Sequence, residues 1–279
     1  MPAPCIGGYE VAGVITEAAP GVTGLAVGDR VAAVTRRGGY AEQACIDQRD
    51  VIVLPDSMSF PGGAAVPINY ATAWAALIGY GNIQQGERLL VMAAAGGVGI
   101  AAVQLGRHAG AEVWGAASPK KHDAVAGAGA HAVLDYTQPG WDDDLPPFDL
   151  VMDAIGGDSF KRSYDLLRPG GRLVPFGAVS VFNGGVREVP EGESADFRLV
   201  GGLRSMDQMI DSKAVIGLDI RVLWNDRDTI QPWLTPLKSL LASKVIAPIV
   251  SDVIAFNDAA EAHQILTDRR NVGKVVLVP

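Results

Sequence analysis

The segment from Leu89 to Ile100 reads LLVMAAAGGVGI, an apolar run that gives way to small residues before apolar residues resume. This pattern predicts a buried strand, a tight turn and the start of a helix. Ala94, Gly96 and Gly99 occupy the three positions of a dinucleotide-binding fingerprint, with alanine in place of the first glycine. Small residues there let a pyrophosphate approach the positive end of the helix. We therefore predict a dinucleotide-binding turn, with close packing as the alternative reason for the glycines.

Strands and helices alternate around this turn. The sequence predicts strands at 88–92, 112–116, 132–134, 150–152 and 172–175, and helices at 98–110, 120–127 and 159–167. Strands separated by helices of this length predict a parallel sheet covered on both faces.

The two ends of the chain have a different texture. The N-terminal part predicts a small all-β unit with strands at 9–16, 30–35, 40–46 and 51–54. The C-terminal part predicts a helix at 228–243, a strand at 249–254, a helix capped by Asn257 and a last strand at 274–278.

Composition restricts the partners. The chain has 279 residues, 48% of them hydrophobic, with 23 Lys+Arg against 31 Asp+Glu, a formal net charge of −8. This excludes a broad basic surface for nucleic acid or anionic membrane and favours a small-molecule partner. The two cysteines, Cys5 and Cys45, are not in a metal-ligand spacing, and we expect a reduced cytoplasmic chain. The longest uncharged run, 89–106, contains glycines and changes pattern midway, so we predict no membrane span.

The end of the second strand of the predicted sheet bears on the choice of cofactor. Residues 113–121 read VWGAASPKK and contain no acid that would bind the ribose hydroxyls of NAD. Ser118 and Lys121 are able to bind the 2′-phosphate instead, which predicts NADPH. The alternative is that the lysines are solvated residues at the start of a helix. The missing acid also counts against S-adenosylmethionine and hence a methyltransferase.

An ordered set of motifs now carries a family resemblance. The motifs are Gly28-Asp29-Arg30-Val31, Asn69-Tyr70-Ala71-Thr72-Ala73, the segment 93–99 and Asn271-Val272-Gly273-Lys274-Val275-Val276-Leu277. In this order they resemble the zinc-independent medium-chain dehydrogenase/reductases, in the branch of quinone oxidoreductases and vesicle amine transport protein 1 homologues. The resemblance implies an α/β fold: a Rossmann doubly wound parallel sheet at 67–215, plus a GroES-like β domain formed by 1–66 and 216–279. It also implies a homodimer and an N-terminally shortened, partial GroES-like domain.

The resemblance further assigns residues to a cofactor site. Those implied to bind NADPH are Gly96, Gly97 and Val98 at the pyrophosphate, Ser118, Lys121 and Tyr136 at the 2′-phosphate, and Asn69, Thr72, Phe176 and Gly177 towards the nicotinamide. Asn271 is implied to belong to a closing segment that reaches back over the cofactor. Tyr70 is our candidate for a catalytic hydroxyl on the substrate side. Core packing is the alternative for Tyr70, Tyr136 and Phe176, and a helix cap is the alternative for Asn69.

The zinc-dependent relatives have Gly-His-Glu where this chain has Gly8-Tyr9-Glu10, and they add a four-cysteine lobe. Two cysteines do not build that lobe, and we expect no metal site and His108, His122, His131 and His263 at the surface. The predicted reaction is hydride transfer from NADPH to a quinone or an α,β-unsaturated carbonyl compound. The alternative is a non-catalytic sensor or interaction protein that binds NADPH.

Overall fold

The computed structural model describes residues 5–179, 182–183, 186–187 and 205–279. The chain divides into two compact units. The first contains Met1–Ala71, Gly96–Ala101 and Ile220–Pro279, and the second contains Thr72–Ala95 and Ala102–Asp219. No helix within the described ranges is long and apolar enough to cross a membrane.

The elements are numbered along the chain. The strands are β1 (Glu10–Val14), β2 (Arg30–Val34), β3 (Val51–Val53), β4 (Arg88–Val91), β5 (Glu112–Ala117), β6 (Ala132–Asp135), β7 (Phe148–Asp153), β8 (Leu167–Pro175), β9 (Phe182–Asn183), β10 (Val186–Arg187), β11 (Ala214–Val215), β12 (Val250–Ala255) and β13 (Lys274–Val278). The helices are α1 (Phe60–Ala64), α2 (Pro67–Trp74), α3 (Gly97–His108), α4 (His122–Gly127), α5 (Asp158–Asp165), α6 (Ser205–Asp211), α7 (Ile220–Leu223), α8 (Arg227–Ala242) and α9 (Ala259–Thr267).

The second unit is built on a six-stranded sheet in the order β11-β8-β7-β4-β5-β6. Every neighbouring pair in it is parallel. Counting β4 as the first strand, this is the doubly wound Rossmann order 3-2-1-4-5-6, and the direction of winding reverses between β4 and β7. Nearly all side chains of these two strands are buried because helices cover the two faces of such a sheet. The predicted fold class is confirmed.

The first unit combines both ends of the chain. Strands β1, β2 and β3 form an antiparallel sheet, and β12 pairs in parallel with β13. The buried carboxylate of Asp50 accepts a hydrogen bond from Trp224 Nε1 at 2.7 Å and pairs with the guanidinium of Arg227. An acidic side chain from the N-terminal part is thus satisfied by groups of the C-terminal part, which joins the two parts in one core.

Two local predictions are wrong. Residues 40–46 form no strand: the sheet consists of β1, β2 and β3, and the Tyr40 N–H donates to the Gly7 carbonyl at 3.0 Å in a loop contact instead. The predicted cap of α9 is also misplaced, since Asn257 lies inside a 3-10 turn, Phe256–Asp258, and Asp258 is the residue that precedes the helix. Helix α6 and strand β11 were not predicted, and the glycine pairs 184–185 and 201–202 lie outside the described residues.

Candidate nucleotide-binding site

The turn after β4 lies where the sheet changes its direction of winding. The Met92 N–H donates to the Met152 carbonyl at 2.9 Å, and the Ala94 N–H donates to the Ala116 carbonyl at 3.0 Å. The chain is therefore held to both neighbouring strands as it leaves β4. Ala93 adopts a φ of +54°, a left-handed conformation that costs an alanine about 1–2 kcal/mol. Such strain persists where the surroundings hold the backbone firmly, as at binding sites.

Alanine replaces the first glycine of the fingerprint because the next strand provides space for its methyl group. Ala94 is completely buried. Opposite it lies Gly115 on β5, where an added Cβ would stand 2.9 Å from the Ala94 Cβ and 2.6 Å from the Val125 Cγ1. Gly115 thus has to lack a side chain for Ala94 to fit, which a search for the fingerprint alone does not detect.

The first turn of α3 presents backbone rather than side chains. Gly96, Gly97 and Val98 are partly exposed, although the residues on either side of them are buried. The Ile100 N–H donates to the Gly96 carbonyl at 2.9 Å, and the N–H groups before it have no acceptor within the helix. Helix N-termini carry a positive potential and bind phosphate. This accessible backbone fits the diphosphate of a dinucleotide.

Asn69 packs directly on this turn. An added Cβ on Gly97 would lie 2.6 Å from Asn69 Nδ2, within the first unit. Asn69 is 6% exposed, and its Nδ2 donates to the Ala65 carbonyl at 2.9 Å. The residue lies inside α2, and its amide group faces Gly97 of the turn.

Two other predicted residues of α2 are buried. Tyr70 is 1% exposed and Thr72 is 4% exposed. Burial raises the pKa of Tyr70 above the usual value for a phenol, which is already protonated at neutral pH.

The end of β5 brings Ser118 and Lys121 together. Ser118 begins a 3-10 turn, Pro119–Lys121, without capping it through its hydroxyl, and the Lys121 N–H donates to the Ser118 carbonyl at 2.9 Å. Both residues are partly exposed. Tyr136, after β6, is 37% exposed, which excludes core packing as its role.

His122 was expected at the surface and is half-buried instead. Its Nε2 lies 3.1 Å from the Ala117 carbonyl oxygen, because α4 begins immediately after the 3-10 turn and folds back over the end of β5. The other three histidines are exposed, as predicted. The sequence signal that could have identified His122 as a residue of this region is its position directly after Lys121.

The loops after β7 and β8 are supported by a buried carboxylate that the sequence analysis missed. Asp153 is fully buried and accepts hydrogen bonds from the Ile155 N–H at 2.6 Å, Ser159 Oγ at 2.6 Å and Ser163 Oγ at 2.7 Å. The Phe176 N–H donates to the Asp153 carbonyl at 3.0 Å.

Phe176 itself is half-buried, and the next residue, Gly177, is exposed. An added Cβ on Gly177 would stand 3.1 Å from the Ala154 Cβ, so the two loops pack closely. The sequence signal that could have identified Asp153 is an acidic residue at the end of a buried strand, followed closely by the glycine pair Gly156-Gly157.

The segment before β13 meets the glycine turn within the first unit. Gly273 and Gly96 form an isolated parallel bridge, and Asn271 Nδ2 donates to the Gly273 carbonyl at 3.0 Å. Gly273 has a φ of +70°, and an added Cβ would lie 2.2 Å from the Ile249 carbonyl oxygen. Only glycine fits there. Asn271 therefore orients the strand-like segment that contacts the turn.

In the described part of the chain, no three His, Cys, Asp or Glu side chains are grouped so that they could hold a metal ion.

A parallel sheet in the Rossmann order, with a small-residue turn after its first strand, is the architecture typical of dinucleotide-binding proteins. A family model of the alcohol dehydrogenase GroES-like domain matches residues 1–56, and a model described as zinc-binding dehydrogenase matches residues 128–277. The chain belongs to the medium-chain dehydrogenase/reductase family, in the branch of quinone oxidoreductases and VAT-1 homologues.

Individual relatives agree with this placement. The chain is 32% identical over 284 residues to the synaptic vesicle membrane protein VAT-1 homolog of Homo sapiens, covering 100% of this chain and 72% of that protein. The quinone oxidoreductase of Pseudomonas syringae is similar in structure, with a TM-score of 0.80 and 30% identity over 99% of this chain and 83% of its own. The quinone oxidoreductase of Thermus thermophilus, also solved in complex with NADPH, has a TM-score of 0.80 and 29% identity over 100% and 82%.

Proposed function

We propose that the protein is an NADPH-dependent oxidoreductase that transfers a hydride to a quinone or an α,β-unsaturated carbonyl compound without a metal ion. The observation that carries the proposal is the partial exposure of Gly96, Gly97 and Val98 at the start of α3, where the two glycines expose only backbone. Membership of an oxidoreductase family and the similarity to a quinone oxidoreductase that binds NADPH support it.

In this proposal the backbone N–H groups of the glycine turn hold the diphosphate. Ser118 and Lys121 hold the 2′-phosphate, each charge-assisted contact contributing roughly 1.5–3 kcal/mol. No acid stands at the end of β5 to repel that phosphate. Tyr136 has an exposed ring at the end of the neighbouring strand β6.

The nicotinamide half is assigned to a second group of residues. These are Asn69, Thr72, Phe176 and Gly177, and Asn271 is proposed to lie in a segment that reaches back over the cofactor. Asn69 supports this assignment because its amide packs on Gly97, next to the turn. Thr72 follows Asn69 by one turn of α2 and lies on the same face of that helix.

When bound, reduced nicotinamide supplies the hydride, so the chain needs to orient it and to stabilise the enolate charge that develops on the substrate. Tyr70 is the proposed donor to that oxygen because a phenol O–H is protonated at neutral pH and is able to donate a hydrogen bond. It is 1% exposed, so this role requires the ring to become accessible when substrate enters. Independence from metal rests on the sequence, which has Tyr9 in place of histidine and two cysteines.

The deciding experiment measures NADPH oxidation with a panel of quinones and enones, alongside calorimetric binding of NADPH and NADH. Consumption of NADPH with a member of the panel supports the proposal. Tight binding without consumption across the panel indicates a sensor instead. No heat with either nucleotide refutes the proposal, and thermal protection by S-adenosylmethionine alone points to a methyltransferase.

The family resemblance also leads us to propose a homodimer, which sedimentation velocity tests directly. A cytoplasmic location is proposed from cysteine usage: Cys5 and Cys45 are both exposed free thiols. Fractionation of cells that express the full gene tests it.

A further inference from the structure

Glu10 on β1 is held by two segments that are distant from it in sequence. Its Oε2 accepts a hydrogen bond from the Ile68 N–H at 2.9 Å, at the start of α2. Its Oε1 forms an ion pair with Lys274 Nζ, at the start of β13. The Glu10 side chain is 8% exposed and that of Lys274 is 28% exposed, so water screens this pair only partly.

Both segments also contact the glycine turn. Asn69, the residue after Ile68, packs on Gly97, and Gly273, the residue before Lys274, bridges Gly96. One carboxylate therefore fixes two separate chain segments, and each of them touches one of the two adjacent glycines. All of these residues belong to the first unit.

We propose that Glu10 is a positioning residue for the diphosphate-binding turn, an inference that rests on the proposed binding of NADPH. Because the partners of Glu10 are Ile68 and Lys274, it acts on the turn through their neighbours Asn69 and Gly273. Removing its charge leaves Lys274 without its carboxylate partner in a partly buried place, which favours movement of the segment before β13. Displacements of about 1 Å are enough to weaken a preorganised site substantially.

A merely structural carboxylate provides the matched control. Glu87 also accepts a backbone hydrogen bond, from the Gln84 N–H at 2.9 Å, and pairs with Arg172 at 2.6 Å. Its side chain is 15% exposed. It precedes β4, whereas the turn follows that strand, so Glu87→Gln removes a similar ion pair at the opposite end of β4.

The experiment compares Glu10→Gln with Glu87→Gln by thermal unfolding and by titration with NADPH and with adenosine 2′-monophosphate, which lacks the diphosphate. We expect Glu10→Gln to raise the Kd for NADPH about tenfold, equivalent to about 1.4 kcal/mol. Binding of the fragment should remain unchanged, and Glu87→Gln should lower only the Tm.

Variants of the partner residue make the test independent of the folding of Glu10→Gln. Lys274→Met should reproduce the tenfold rise in the Kd for NADPH, whereas Lys274→Arg, which keeps the positive charge, should leave the Kd near that of the unmodified chain. The double variant Glu10→Gln/Lys274→Met should lose no more affinity than either single variant, because the two residues act as a pair. A folded Glu10→Gln or Lys274→Met that binds NADPH like the unmodified chain overturns the inference, as does an equal loss for NADPH and the fragment. If the unmodified chain binds no NADPH, the proposed function fails instead.

Discussion

Gly97→Ala is a sharp test of how the turn is built, because the clash that it creates involves one identified side chain. Gly97 has no left-handed φ, so the substitution adds no backbone strain. The new Cβ would lie 2.6 Å from Asn69 Nδ2 and 2.9 Å from its Cγ and Oδ1. Asn69 is 6% exposed and is tied to the Ala65 carbonyl, so it has little freedom to move aside.

The expected cost follows from these contacts. Overpacking a filled site costs about 1–3 kcal/mol. Loss of the Asn69–Ala65 hydrogen bond adds about 0.5–1.5 kcal/mol. The better helix propensity of alanine offsets up to about 1 kcal/mol. We therefore expect a net loss of roughly 0.5–4.5 kcal/mol, with the Tm falling by roughly 2–4 °C for each kcal/mol.

The assay is a double-mutant cycle of Gly97→Ala and Asn69→Ala, followed by thermal unfolding and NADPH titration. Because Asn69→Ala removes the obstructing amide, the double variant should lose less stability than the sum of the two single variants. Gly127→Ala on α4 is the control, since its added Cβ meets nothing within 4 Å. Strictly additive losses, or a Gly97→Ala that behaves like Gly127→Ala, would refute this account of the turn.

Three further predictions concern the second nucleotide element, the packing beneath the turn and the response to alkali. Lys121→Ala should weaken NADPH binding about tenfold to a hundredfold and leave NADH binding unchanged in fluorescence titrations; an equal fall for both contradicts it. Gly115→Ala should cost about 1–3 kcal/mol in urea unfolding because its Cβ meets Val125 and Ala94, and Ala94→Gly should recover part of that loss. Because burial raises the pKa of Tyr70, the folded chain keeps its phenol proton at pH values above 10.0, where the unfolded chain loses it. The free energy of unfolding should therefore fall as the pH rises above 10.0, and Tyr70→Phe should make that fall less steep. An unchanged slope in urea unfolding would argue against that attribution.

The fold was predictable because its signals are local. The apolar strand that breaks into small residues after Met92 predicts the β4 turn and α3, and the alternation after it predicts a parallel sheet. The helix predicted at 98–110 occupies Gly97–His108, and the last predicted strand, 274–278, has the predicted bounds. Each of these elements depends on neighbours a few residues away.

The contacts that hold the glycine turn in place were not predictable, because they join residues that are distant in the sequence. Glu10 lies 58 residues from Ile68 and 264 residues from Lys274. No periodicity relates such positions, and a lone glutamate in a strand pattern has no visible partner. The prediction for residues 40–46 was wrong for a related reason, since strand propensity does not tell whether a segment pairs with a strand that is distant in sequence.

Glycines in and around the turn are required for packing as well as for access to the backbone, so a glycine fingerprint alone does not show that a nucleotide binds. The space beside Gly97 is filled by Asn69, and that beside Gly115 by Ala94 and Val125, so these two glycines are required by packing. A structural role would account for them in a protein that binds nothing. The argument for a nucleotide rests instead on the partial exposure of Gly96, Gly97 and Val98 at the start of a helix, where anions are favoured. Titration of Gly97→Ala with NADPH therefore tests whether the turn must remain accessible, and not only whether it contains glycine.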